Sequence, residues 1–299
     1  MTKPPDKARI IAAHGRHYLA DHDGERIQTV TRGKKSNVAV GDHVVITITA
    51  KGQAVIESIE ERQTLLFRSD QFKSKLLAAN VTQLFIVVAT EPGFSDDLVS
   101  RALVAAETAG INTHLILNKT DITEALPKTR ERLQLYASLG YPIHEVSAIQ
   151  EPEATRQTLI PLVEKQTTIL IGQSGMGKSS IINILIPGVD IVTREISSAL
   201  DSGKHTTTFT RMYQLDDNRS ALIDSPGFQE FGLYHLGKEA LEQAFREFRP
   251  YLGNCRFHNC KHLMEPGCAI LTALKAGQIS PMRHRLYAQL LHEASQKIY

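Results

Sequence analysis

Two short motifs constrain the topology of this chain through their order. Asn118-Lys119-Thr120-Asp121 comes first, and Gly172-Gln173-Ser174-Gly175-Met176-Gly177-Lys178-Ser179 follows it. Proteins that combine these elements ordinarily place the glycine-rich loop first and the N-K-x-D element well downstream. Here both are present in rotated order. The sheet that carries them must therefore be a circular permutation of the usual one.

The second motif matches G-x-x-x-x-G-K-S, with an apolar strand at 168–171 before it and a helix opening at 180–185 after it, the context the motif requires. Glycines let the backbone wrap a phosphate while successive N–H groups and the helix N-terminus face the anion. Lys178 is then expected to neutralise β- and γ-oxygens, and Ser179 to reach Mg²⁺, with Ser180 completing the loop. Asn118 and Asp121 follow the buried strand 113–117, so they fall at a carboxyl edge of the sheet, where ligands bind. An Asp121 carboxylate can accept from N1–H and the 2-amino group of guanine, neither of which adenine offers there. Asn118 would brace N7, the Lys119 stem would cover the base, and Ser147-Ala148 fits the loop whose backbone N–H meets guanine O6.

Asp224-Ser225-Pro226-Gly227, after strand 220–223, supplies a D-x-x-G element. Asp224 would hold Mg²⁺ through a water and the Gly227 N–H would sense a γ-phosphate. The run Gly203-Lys204-His205-Thr206-Thr207-Thr208 stands where a first switch belongs, and Thr207 is the preferred third magnesium ligand beside Ser179 and Asp224. Phe228 occupies the position where a water-orienting glutamine is common, and an apolar ring cannot do that work. His205 is the nearest polar candidate for that role, against the alternative of an exposed loop histidine.

Around this core the periodicity changes. Residues 8 to about 60 read as short strands broken by Asp23-Gly24, Gly33, Gly41-Asp42 and Lys51-Gly52, which suits a small antiparallel barrel or sandwich. Basic Arg32, Lys34 and Lys35 in a turn fit an OB-type barrel that touches RNA phosphates, or simply a solvated face. Arg283 and Arg285 are second candidates for the same role. Residues 61–80 read as a charged connector. Strands at 83–89, 113–117, 143–146 and 168–171 alternate with helices near 96–109, 123–139 and 152–165, the pattern of a doubly wound α/β sheet. The division expected is 1–62 for the barrel, 63–236 for the nucleotide-binding unit and 237–299 for a mostly helical end.

That helical end holds all 3 cysteines of the chain. Cys255-x₄-Cys260-x-His262-x₅-Cys268 offers three thiolates and an imidazole, the ligand set of a closed structural zinc site, with His258 competing for the fourth place. A net charge of +2 permits a nucleic-acid partner without arguing for one. No apolar run is long enough for a membrane span and the polar start is no signal peptide, so a cytoplasmic, monomeric protein is the expectation.

With these residues assembled, the chain resembles the bacterial small ribosomal subunit biogenesis GTPases, a circularly permuted family. The resemblance rests on Gly41-Asp42-His43-Val44, Ala78-Ala79-Asn80-Val81, Asn118 to Asp121, Gly172 to Ser180, Lys204 to Thr208, Asp224 to Phe228 and Cys255 to Cys268. It implies a permuted P-loop GTPase domain between an N-terminal OB-fold and a C-terminal zinc domain. It also implies a ribosome-stimulated enzyme that binds the 30S subunit and 16S rRNA during late maturation. Within the resemblance, His205 matches the switch histidine, and His262 rather than His258 completes the zinc set. Thr82 departs from an often acidic family position, away from the chemistry. A nucleotide-gated binding module with slow hydrolysis as a timer is the alternative. A metabolic P-loop kinase is opposed by the N-K-x-D element. Loss of a γ-phosphate is expected to move the C-terminal segment through the short link 228–237.

Overall fold

The computed structural model describes residues 5–15, 17–33, 37–69, 74–188, 210–217, 219–226 and 232–296. Five strands, β1 (Asp6–His14), β2 (His17–His22), β3 (Glu25–Thr31), β4 (His43–Ala50) and β5 (Gln53–Ile59), form the N-terminal unit. They follow the order β1-β2-β3-β5-β4, and β4 pairs back onto β1, which closes a barrel. The barrel is not wholly antiparallel, because β3 and β5 run parallel. Alternate residues point inward, including Ala8 and Ile10 of β1, Val44 and Ile46 of β4, and Ala54 and Ile56 of β5. Asp42 is fully buried at its rim, where both carboxylate oxygens accept from Arg62 at 2.7 and 2.8 Å and Oδ2 also accepts from the Ala39 N–H.

The charged stretch expected to be a connector is instead a hairpin of β6 (Leu65–Ser69) and β7 (Ser74–Ala79). Its alternation is sparse, but Leu66 and Leu77 are buried and join the main core. Beyond it lie β8 (Gln83–Ala89), α1 (Asp96–Ala109), β9 (Asn112–Asn118), α2 (Leu126–Ser138), β10 (Ile143–Glu145), α3 (Pro152–Val163), β11 (Thr167–Ile171) and α4 (Lys178–Leu185). β12 (Arg211–Gln214) and β13 (Ala221–Asp224) complete the sheet. The strand order β10-β9-β8-β11-β13 is parallel throughout, and every residue of β8 and β11 is buried, in line with the apolar stretches 84–89 and 169–171. The short β12 went unread in the sequence. It runs antiparallel to β13 and touches β1, which joins the barrel to the central sheet.

From β8 the chain moves outward to β9 and β10, whereas from β11 it moves the other way to β13. The order reverses between β8 and β11, and ligands of such sheets lie outside the strand ends at that reversal.

The C-terminal helices α5 (Lys238–Ala244), a 3-10 turn (Arg246–Tyr251), α6 (Ala269–Lys275) and α7 (Pro281–Ser295) share the core of the sheet domain. Phe245, Phe248 and Tyr287 pack as one aromatic cluster in it. Arg101 of α1 grips Glu293 of α7 with two hydrogen bonds at 2.7 and 2.8 Å, and Glu107 of α1 accepts from Arg246 and Arg249. Among the described residues no helix is long and apolar enough to cross a membrane.

Candidate nucleotide and metal sites

Asn118 ends β9 and is 2% exposed. Its Nδ2 donates to the Met176 carbonyl at 3.0 Å, and its Oδ1 accepts from the Ala148 N–H at 3.0 Å. One side chain thus joins the glycine-rich loop to the Ser147-Ala148 loop. A Cβ on Gly177 would stand 2.1 Å from Asn118 Nδ2, so this junction demands glycine. Gly177 also lies at φ 89°, where it caps the N-terminus of α4. The Ser147 hydroxyl donates to Asp121 Oδ1 at 2.5 Å, leaving the other carboxylate oxygen for a ligand. Thr120 bonds the Val146 carbonyl and Thr90 the Lys119 carbonyl, which fixes the loop from both sides. Lys119 takes φ 62°, and partial burial lowers its pKa against the opposing pull of Asp121 and Glu91.

On the phosphate side, Lys178 is the first residue of α4 and its Nζ donates to the Gly172 and Gln173 carbonyls at 2.9 and 3.0 Å. Burial pulls its pKa down to about 8, although Asp224 works in the opposite direction. A desolvated ammonium held by neutral carbonyls is poised to take an anion. Asp224 ends β13, one strand away, and is buried with Ser225, whose hydroxyl donates to the Leu170 carbonyl at 2.6 Å. Gln173 reaches backwards: its Oε1 accepts from the Ser95 N–H at 2.7 Å, at the N-cap of α1. Gly175, Ser174, Met176, Ser179 and Ser180 lie in the same loop and first helical turn. His205, Thr207, Gly227 and Phe228 lie outside the described residues, as do Lys34 and Lys35.

The metal expectation meets a matching geometry. One ligand atom from each of Cys255, Cys260, His262 and Cys268 falls within 4.8 Å of the others, a spacing compatible with one zinc ion. His262 Nδ1 is 3.5 Å from Cys255 Sγ and 3.4 Å from Cys268 Sγ. Its Nε2 lies 3.1 Å from Glu242 of α5, so the carboxylate orients the ring and fixes Nδ1 as the ligating nitrogen. Burial lowers the His262 pKa against the opposing pull of Glu242, which favours the neutral form that a ligand needs. Burial also pushes the Cys260 thiol up to about 12, so ionising Cys260 needs a cation beside its sulfur. Backbone N–H groups of Ala269 and Leu271 point at Cys255 and Cys268 sulfur at 3.4 and 3.5 Å. His258 is exposed and stands apart from the cluster. Glu242 had no sequence signal, because it lies on another element 20 positions before His262 in the chain.

Of the basic candidates, Arg32 is exposed and pairs with Glu57 at 2.7 Å, and Arg285 is exposed. Arg283 must be withdrawn as an RNA contact. It is 0% exposed, bonded to Glu247 at 2.7 Å and stacked over Phe245 at 4.4 Å. Its charge holds α7 to the turn at 246–251.

Two loops at the reversal of a parallel sheet, presented in rotated chain order and stitched by Asn118, define a circularly permuted GTPase. The comparisons agree. The family model described as RsgA GTPase matches residues 59–234. A protein named small ribosomal subunit biogenesis GTPase RsgA, from Paraburkholderia xenovorans (strain LB400), is 58% identical over 96% of this chain and 93% of its own length. A namesake from Ralstonia pickettii (strain 12J) is 59% identical over 96% and 93%. The crystal structure of YjeQ from Thermotoga maritima superposes with a TM-score of 0.73 at 28% identity, covering 97% of this chain and 98% of that one. YloQ, described as a circularly permuted GTPase, matches in fold with a TM-score of 0.69 at 23% identity over 99% and 96%. The chain belongs to the RsgA GTPase family and is a GTPase.

Proposed function

We propose that this GTPase binds the 30S ribosomal subunit and its 16S rRNA and assists late maturation, with hydrolysis stimulated by the ribosome. The names of its relatives support the ribosomal partner. The observation that carries the nucleotide assignment is Asn118 bridging the phosphate loop and the base-side loop. In this reading Asp121, Lys119, Ser147 and Ala148 hold guanine. Gly172 to Ser180 hold the phosphates, with Lys178 as the principal charge. Ser179, Thr207 and Asp224 serve Mg²⁺, Gly227 senses the γ-phosphate and His205 positions the attacking water. Zinc held by Cys255, Cys260, His262 and Cys268 is structural, since four protein ligands leave no open position.

The functional division follows 1–62, 63–236 and 237–299, with Arg32, Lys34 and Lys35 of the N-terminal segment as RNA contacts. The protein acts as a monomer in the cytoplasm. GTP turnover measured alone, with purified 30S subunits and with 50S subunits tests the reading. Acceleration by 30S alone is expected, and His205→Ala should abolish it while GTP affinity holds. Turnover indifferent to 30S, with nucleotide-dependent 30S attachment retained, would replace it with the gate-and-timer reading.

A further inference from the structure

The described residues just before α5, 232–236, are held in place by the hairpin. Residues 232–236 lie against β6, where the Ser69 N–H donates to the Gly232 carbonyl at 2.9 Å and Ser69 bridges to Leu233. A Cβ on Gly232 would stand 2.2 Å from the Ser69 carbonyl oxygen, so glycine permits the approach. The Ser69 side chain closes it twice. Its hydroxyl shares a hydrogen bond with His235 Nδ1 at 2.7 Å and accepts from the His235 backbone N–H at 3.1 Å. Phe67 covers the imidazole with ring centroids 3.9 Å apart, and Ser69 itself is buried.

The hairpin that receives this contact is fastened to the barrel at its other end. The Ala79 N–H donates to the Val40 carbonyl at 2.8 Å, and Asn80 bonds both the Gly41 carbonyl and the Gln63 N–H. Gly41 adjoins Asp42, the buried partner of Arg62. A continuous set of bonded contacts therefore runs from residues 232–235 through the hairpin to the barrel rim. Only five residues separate Pro226 from Gly232.

We propose that Ser69 and His235 are positioning residues that clasp the chain beyond Asp224 to the hairpin and carry the nucleotide state to the barrel. The inference rests on the proposed γ-phosphate-sensing role of the Asp224 turn. It redirects the expected route, because a pull along 228–237 meets the Ser69 clasp before it reaches α5. Coupling requires two discrete arrangements, and in this proposal they are the clasp bonded, as seen here, and the clasp released.

Amide hydrogen exchange across 65–79 and 38–42 tests this in the full chain, loaded with GDP or with the imido analogue of GTP. Both nucleotide affinities are measured in parallel. Wild type should show nucleotide-dependent protection in both stretches. Ser69→Ala should erase the difference while keeping GDP affinity within about two-fold. Ser69→Thr, which keeps the hydroxyl, and His235→Asn, whose side-chain amide can replace Nδ1 as the hydroxyl's partner, should retain it. If Ser69→Ala fails to fold, His235→Ala carries the same test. Protection that ignores nucleotide in wild type, or that survives loss of the hydroxyl, overturns the clasp even if GTP binding is intact. Loss of nucleotide binding in wild type would instead sink the functional reading beneath it.

Discussion

The two ends of this molecule are attached to the GTPase sheet in opposite ways. The barrel keeps its own core, built from residues such as Ile10, Val44 and Ile56, and meets the sheet through the β1–β12 pairing and an Arg9–Thr167 bond at 2.9 Å. The C-terminal end that holds the three cysteines and His262 has no separate core among the described residues, since Phe245, Phe248, Cys260 and Tyr287 belong to the same cluster as β8 and β11. A part with its own core can reorient while staying folded, whereas a part fused into another's core moves only at the cost of buried contacts. The barrel, tied to the main core mainly through Val40, Ile11 and Ala13, is the more separable part, while the cysteine-bearing end braces α1 from behind.

The sharpest way to break this contrast is to remove the metal. Chelation, or Cys260→Ser, should lower the main unfolding transition by on the order of 10 °C, because a structural zinc contributes folding energy and its segment shares the GTPase core. Calorimetry that showed the main transition unmoved would make the zinc end an independent domain after all. Ile10→Ala should cost about 3 kcal/mol in the barrel and lower a separate, smaller transition while the main one stays.

The ion pairs sharpen the same comparison at smaller scale. Arg101→Ala strands the largely buried Glu293 carboxylate and should cost about 3 kcal/mol, read as faster exchange in both α1 and α7. Arg62→Ala strands the buried Asp42 to a similar extent, but its effect on exchange should stop within the barrel and the adjoining hairpin.

The smallest effect is a pH dependence. Lys178 titrates near 8 in the folded chain, below its usual 10.5. Between those values the unfolded chain binds the extra proton, so stability of the nucleotide-free protein rises with pH across that window. The penalty for the buried ammonium is fully present below about pH 8. A bound phosphate favours the charged form, so GTP binding above pH 8 should take up a proton and weaken by up to about tenfold per pH unit. Calorimetry in buffers of different ionisation enthalpy reads this, and no proton uptake would place Lys178 away from the phosphates.

Much of the site was legible because each motif is local. The glycine loop needs a strand before it and a helix after it, and the N-K-x-D element needs a buried strand, all within a few residues. The three cysteines and His262 were legible for the same reason. What escaped depends on contacts between distant parts of the chain. The hairpin at 65–79 reads as a charged connector because Leu66 and Leu77 are its only large side chains clearly buried, beside the small Ser69, Ala78 and Ala79. β12 is only four residues long and gains its meaning from β13 and β1. Arg283 looks like a solvated basic residue until Glu247 and Phe245 enclose it. Glu242 and the Ser69–His235 pair likewise carry no local signature.

The central claim is that the Asp121 and Lys178 loops hold opposite ends of one guanine nucleotide. Calorimetric titration of Asp121→Asn with GTP and with xanthosine triphosphate tests it most directly. GTP affinity should fall on the order of 100-fold while the xanthosine nucleotide binds in its place. An Asp121→Asn variant that still prefers GTP, or a wild-type chain that binds ATP as well as GTP, would contradict the account.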